Sequence, residues 1–217
     1  MAKEINHKID MWLKDAGYEY QCFISYPNVG DVIITKCVEK LKDDIQNGLK
    51  PLQIHAPEVF LDKKDVNSGE EWEKSMPDAL CRSLVLVAVC APAYFDPRHK
   101  WCGIEWNTMK ELTLKRLPSS NFHGIIPIIF REPENLPDSV KSLQCHHNMS
   151  RLFTSGTNYF RTNEYRIIIK EIVSMVEDIA IKLYENQVQA DCEQFQFAAE
   201  SAFCDYHAQP QPMPFRK

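Results

Sequence analysis

The chain has 217 residues, of which 44% are hydrophobic and 25% charged, with a formal net charge of −5. This length suits one domain with a sizeable core, and the acidic balance leaves no excess of Lys and Arg to hold a nucleic-acid backbone or an anionic membrane. No apolar run reaches the roughly 18 to 20 residues of a membrane span, and the start of the chain lacks the apolar stretch of a signal peptide, so a cytoplasmic protein is expected.

In chain order, residues 1–17 read as a polar lead-in. Residues 18–26 are rich in aromatic and β-branched types and predict a strand, broken at Pro27-Asn28. From Asp31 the spacing of Val32, Ile33, Cys37, Val38, Leu41 and Ile45 predicts a helix that stops near Asn47-Gly48. Residues 58–62 form a short second strand, a polar loop covers 63–69, and a helix follows from about 70 to 82. Residues 84–90, Leu-Val-Leu-Val-Ala-Val-Cys, are apolar on both faces, the pattern of a strand covered by helices on both sides and therefore of a largely parallel sheet. A helix over about 101–117 is stopped by Pro118. Residues 124–130 predict a fourth strand, in which Pro127 cannot donate a ladder bond and so points to a place near an edge or to a bulge.

A short helix near 139–143 and a fifth strand at 149–153 are expected next. The stripe Ile168, Ile169, Ile172, Val176, Ile179 and Leu183 predicts a long helix over 164–185. Residues 187–217 turn polar and rich in Pro and Gln, as expected of a flexible tail, although Phe195, Phe197 and Phe203 hint at an amphipathic segment within it. Eight cysteines are present without metal-site or redox spacing, and reduced thiols are the simpler reading.

Strand and helix alternate about five times between residues 18 and 186, which predicts an α/β, flavodoxin-like three-layer sandwich around a mostly parallel five-stranded sheet. Ligands of such sheets bind beyond the carboxyl ends of the strands, at the reversal of strand order. The loops after Tyr26, Asp62 and Cys90 are thus the places for a site. They hold Phe23-Ile-Ser-Tyr26, then Phe60-Leu-Asp62 with Gly69 and Trp72, then Ala91-Pro-Ala-Tyr94 followed by Trp101-Cys-Gly-Ile-Glu105.

These boxes, with Asp78-Ala-Leu-Cys-Arg-Ser83, resemble in their order the Toll/interleukin-1 receptor (TIR) domain family, in particular its stand-alone, NAD-cleaving bacterial branch. The resemblance covers roughly residues 18–185. It implies that Glu105 is the catalytic carboxylate and that Trp101, Tyr26, Asn28, Asn67, Trp72, Ala91 and Tyr94 line the substrate site. The chain departs from that branch at Ala91, where Ser is common, and at Pro27 and Asn28, where basic residues are common. Phosphate contacts then fall to backbone amides or to Lys63 and Lys64.

The residues themselves support part of this. Trp101 and Glu105, four apart on a helix, share one face. An indole offers an apolar wall for a flat ring, and a carboxylate offers a charge for the oxocarbenium-like sugar that forms when a glycosidic bond breaks. The plainer reading is that Glu105 lies near a helix start, where an anion gains about 0.3 to 1 kcal/mol from the dipole.

As a function, the resemblance implies cleavage of the nicotinamide–ribose bond of NAD+, giving ADP-ribose or a cyclic ADP-ribose-derived signal in antiphage or innate immune defence. NAD+ would be substrate and no resident cofactor is needed. The expected partners are further copies of the chain, through TIR–TIR contacts, and a separate effector that reads the product. The alternative is a non-catalytic interaction scaffold that docks through the loop at 63–69. A receiver domain is excluded, because the first and third strands end in Ser25-Tyr26 and Cys90-Ala91 and not in acidic residues. A nucleoside deoxyribosyltransferase-like enzyme stays open. Cys145-His146-His147, with His99 and Cys102, is the densest group of metal-ligand types, but adjacent ligands converge poorly on one ion and no metal is expected.

Overall fold

The computed structural model describes residues 2–28, 30–50, 58–61, 72–118, 122, 124–131, 136–143, 147–193 and 195–203. Five strands form one sheet in the order β2-β1-β3-β4-β5, parallel throughout: β1 Tyr20–Ser25, β2 Glu58–Leu61, β3 Ser83–Cys90, β4 Ile125–Ile129 and β5 His147–Asn148. The order reverses between β1 and β3. The α/β three-layer architecture expected from the alternating pattern is the one observed.

The period-2 geometry of the strands divides the core in two. Cys22 and Ile24 of β1, Val85, Val87 and Val89 of β3, and Ile126 and Ile128 of β4 face one layer. That layer consists of α1 (Ala2–Asp15), α2 (Val32–Leu49) and α7 (Asn163–Glu185). Phe23, Leu86, Ala88, Cys90, Ile125 and Ile129 face the other, built from α3 (Trp72–Cys81) and α4 (Lys100–Arg116). Two four-residue helices, α5 (Asp138–Lys141) and α6 (Leu152–Ser155), flank β5 in sequence.

Helix α2 starts where Asp31 accepts hydrogen bonds from the backbone N–H of Ile33 and Ile34, at 2.8 and 3.3 Å. It buries Ile34, Cys37, Val38, Leu41, Ile45 and Leu49. Val32 and Ile33, expected on the inner stripe, are exposed, because Ile34 takes the inward position in the first turn. Replacing the cap, Asp31→Ala, is expected to cost about 1 kcal/mol of stability in denaturant unfolding.

Four regions differ from the sequence expectations. The N-terminal lead-in is a helix, α1, whose Ile9 and Leu13 are buried at a four-residue spacing and whose Trp12 ring meets Tyr184 of α7 edge-on at 5.6 Å. The fifth strand lies at His147–Asn148, and of residues 149–153, expected to form it, the last two begin α6 after a turn. Pro127 sits in a regular ladder opposite Ala88 in a strand flanked on both sides. Gly124 accepts from Leu86 and Phe130 donates to Cys90, so even-numbered residues of β4 turn their peptide groups to β3. Pro127 therefore turns its missing N–H toward β5, which begins only opposite Ile128.

The last difference is the largest. The segment after α7, expected to be a flexible tail, lies as a strap along α3 and α4 as far as residue 203. Phe203 is 3% exposed, set among Tyr94, Phe95 and Trp106 at ring-centroid distances of 6.0, 5.0 and 5.4 Å. Ala202 N–H donates to Gly103 O at 3.0 Å, Ala198 N–H to Thr108 Oγ1 at 2.9 Å, and Asn107 Nδ2 to Glu200 O at 3.0 Å. The strap can come this close because residue 103 is Gly: a Cβ there would stand 1.7 Å from Ser201 Oγ. A disulfide, Cys81–Cys192, ties the strap to the end of α3, so the expectation of reduced thiols fails for these two. Cys22, Cys37, Cys90 and Cys102 are free and buried. Residues 204–217 lie outside the described residues.

Candidate active site

Strand parity places the first element of the site. Ser25 closes β1 with the same orientation as Phe23, so a hydroxyl occupies an inward position on the α3–α4 side, at the carboxyl end of the sheet. Beside it, β3 ends at Cys90 and the chain turns through two short 3-10 segments, Pro92–Tyr94 and Pro97–His99, into α4. Asp96 secures the second turn. It accepts from the Arg98 backbone N–H at 2.9 Å and from the Arg98 guanidinium, and these bonds hold its carboxyl down at about 2. One and a half turns into α4, Glu105 points back at the strand ends.

Ser25, Tyr94 and Glu105 are 1%, 0% and 4% exposed. Ser25 Oγ donates to Glu105 Oε2 at 2.5 Å and lies 2.9 Å from the Tyr94 hydroxyl. A serine hydroxyl has one hydrogen, and here it is spent on the carboxylate, so Tyr94 is the donor in the second bond. Burial pushes the Tyr94 phenol well above its ordinary value, and Cys102, Cys90 and Glu105 add to the effect, which keeps the phenol protonated for this role. Burial, with Glu105 next in weight, likewise holds the Cys102 thiol neutral. The result is a chain of donors, Tyr94 to Ser25 to Glu105, which fixes one carboxylate oxygen at the β1/β3 reversal, where open α/β sheets bind ligands.

Charge-assisted bonds of this kind contribute about 1.5 to 3 kcal/mol. Ser25→Ala is expected to lower stability by that amount, read by denaturant unfolding, whereas Ser25→Thr restores part of it.

The other residues expected at the site are placed variously. Trp101 lies one turn before Glu105, half-buried, with its ring tilted against Phe197 of the strap at 5.6 Å and Lys100 Nζ 5.7 Å from its centroid. Ala91 is buried and starts the first 3-10 turn, its carbonyl accepting from Tyr94 N–H at 2.8 Å. Tyr94 is a brace for the carboxylate. Tyr26 has the opposite parity to Ser25 and packs against the α1–α2–α7 core. Asn28 is exposed in the loop before α2. The backbone at Trp72 opens α3, while its side chain, and Asn67, Lys63 and Lys64, lie outside the described residues.

Cys145 and His146 also lie outside them, and His147, on β5, is buried with Nδ1 3.4 Å from Glu171 Oε2. Among the described residues no three or more His, Cys, Asp or Glu gather to hold a metal ion. Among those residues, too, no helix is long and apolar enough to cross a membrane.

Ser25 is the neighbour of Glu105 that the sequence alone did not mark as a site residue. Its signal is present: a hydroxyl at an inward position, next to Phe23 and Ile24 in the strand, needs a buried partner.

A family model described as "TIR domain" matches residues 22–159, well over half of the chain, including Ser25, Tyr94 and Glu105. Comparison with curated proteins and with solved structures finds no match.

Proposed function

The chain belongs to the TIR-domain family, and on that premise we propose that it cleaves the nicotinamide–ribose bond of NAD+, as a glycohydrolase or an ADP-ribosyl cyclase, with Glu105 as the catalytic carboxylate. The observation that carries this reading is the oriented carboxylate at the β1/β3 reversal, held by Ser25 at 2.5 Å. The bond to be broken joins a cationic pyridinium to ribose, so nicotinamide departs neutral and no acid is needed to protonate it. What the reaction lacks in water is stabilisation of the sugar cation left behind. A carboxylate already oriented by the protein supplies this without reorganising during the reaction. Water as acceptor gives ADP-ribose, and an internal nucleophile of the same molecule gives a cyclic product.

NAD+ is the substrate here, and self-association of TIR domains, a separate effector for the nucleotide product and a role in antiphage or innate immune defence belong to the same reading. The second reading is a non-catalytic TIR–TIR scaffold. It draws on the 4% exposure of Glu105, which also suits a carboxylate whose task is to hold β1 and α4 together.

One measurement separates the two. The purified protein is concentrated, supplied with NAD+, and nicotinamide is followed by chromatography. Release that disappears in Glu105→Ala supports the enzyme. An intact NAD+ pool at every concentration at which the chain self-associates supports the scaffold.

A further inference from the structure

Arg116, the last residue of α4, is 9% exposed. Its guanidinium donates from Nη1 to Ser83 O at 3.1 Å and from Nη2 to Cys81 O, lies over the Tyr18 ring at 5.1 Å, and places Nη2 3.9 Å from Cys81 Sγ. Among the described residues no carboxylate pairs with it. A buried cation met only by carbonyls, a ring and a sulfur is costly unless an anion can form beside it. Among the described residues two neighbouring groups can become anions: the Tyr18 phenol, which burial pushes above its ordinary value although Arg116 draws it down, and Cys81 Sγ, now bonded to Cys192. The Asp191 carbonyl oxygen, 3.7 Å from the same sulfur, is the opposing dipole and carries no full charge.

The two sulfurs are placed unequally. Cys81 is fully buried at the end of α3, whereas Cys192 is partly exposed on the strap. An incoming thiolate thus meets Cys192 first, and Cys81 is the leaving group. Exchange quickens as the leaving thiol becomes more acidic, and a neighbouring guanidinium makes it so.

We propose that Cys81–Cys192 is a thiol–disulfide exchange site for a dithiol reductant, with Arg116 receiving the departing Cys81 thiolate, and that its opening loosens the strap on the outer face of α4. One thiolate of the reductant attacks Cys192 Sγ. The Cys81–Cys192 bond breaks, its electron pair stays on Cys81 beside Arg116, and a mixed disulfide forms at Cys192. The second thiol of the reductant, as thiolate, then attacks that mixed disulfide and expels the Cys192 thiolate. The protein gains two electrons and, on protonation, two thiols; the reductant leaves as its disulfide.

Between Ala190, which donates to Ala16 O at 2.8 Å, and Ala198, which donates to Thr108 Oγ1 at 2.9 Å, the disulfide is the covalent tie of the strap to the domain. Its loss leaves Phe197 on Trp101 and the backbone bonds of Ala198 and Ala202 dependent on the single anchor at the far end of the strap, Phe203 among Tyr94, Phe95 and Trp106.

The test uses the full chain with dithiothreitol as the probe, and none of its readouts needs NAD+ cleavage. Alkylation mass mapping is expected to show Cys81 and Cys192 becoming reactive together, and the amides of Ala198 and Ala202 to exchange hydrogen at least about tenfold faster once they do. Arg116→Gln slows reduction on the order of tenfold at neutral pH, and Arg116→Lys keeps most of the rate. Cys192→Ser reproduces the fast exchange without reductant, so the outcome does not depend on how well the Arg116 variants fold. Equal amide protection in the oxidised, reduced and Cys192→Ser proteins would overturn the proposal. So would a reduction rate untouched by Arg116→Gln, or failure of the two cysteines to pair under oxidised glutathione.

Discussion

Glu105→Gln is expected to slow nicotinamide release by roughly two to three orders of magnitude, on the order of 3 to 4 kcal/mol in the barrier. The substitution is chosen for its economy. Glutamine keeps the volume of the side chain, and its carbonyl still accepts the hydrogen bond that Ser25 donates to Glu105 Oε2 at 2.5 Å. What disappears is the negative charge. A loss confined to kcat, with KM little changed, places the charge in the transition state and not in substrate binding. Circular dichroism and the unfolding midpoint of the variant should stay near those of the wild type, because the buried hydrogen-bond chain from Tyr94 through Ser25 is kept. A Gln variant that cleaves NAD+ at the wild-type rate would leave the carboxylate a structural role only.

Phe203→Ala is expected to be the most destabilising of the substitutions considered, at about 3 to 5 kcal/mol. The ring is 3% exposed and closes a cluster with Tyr94, Phe95 and Trp106. Removing it leaves a cavity in a helix-side core that the short strap cannot collapse to fill, and it forfeits edge-on ring contacts worth about 0.5 to 1.5 kcal/mol beyond their burial. For a chain of this size the unfolding midpoint should fall by roughly 6 to 20 °C in differential scanning calorimetry. The change also reaches the site, since Tyr94 lies between Phe203 and Ser25. An unchanged midpoint would mean that the strap is not part of the cooperative unit.

Helix α4 explains why the strap was hard to see in the sequence. Its buried residues include Cys102, Gly103, Glu105, Trp106, Thr108, Met109, Leu112, Thr113 and Arg116, which lie around more than one face. No clean apolar stripe marks such a helix, because one side meets the sheet and another meets the strap. The polar composition of residues 187–203 concealed their role for a related reason: one deeply seated aromatic, one disulfide and a few backbone-directed hydrogen bonds anchor a segment without any periodic pattern. Helix α1 was missed through its charge, although Ile9 and Leu13 carried the four-residue spacing that marks its buried side.

By itself the sequence determined the alternating elements, the two-sided burial of β3, the parallel α/β class, and the position of Glu105 on a helix one turn from Trp101. These depend on periodicity between near neighbours, and near neighbours are what a linear pattern records. Tertiary structure alone decided that Ser25 meets Glu105 across 80 positions and Tyr94 across 69, and that Cys81 pairs with Cys192 across 111. Such contacts arise from the order in which strands take their places in the sheet and from the closing of one core face by the strap, and no local spacing specifies either.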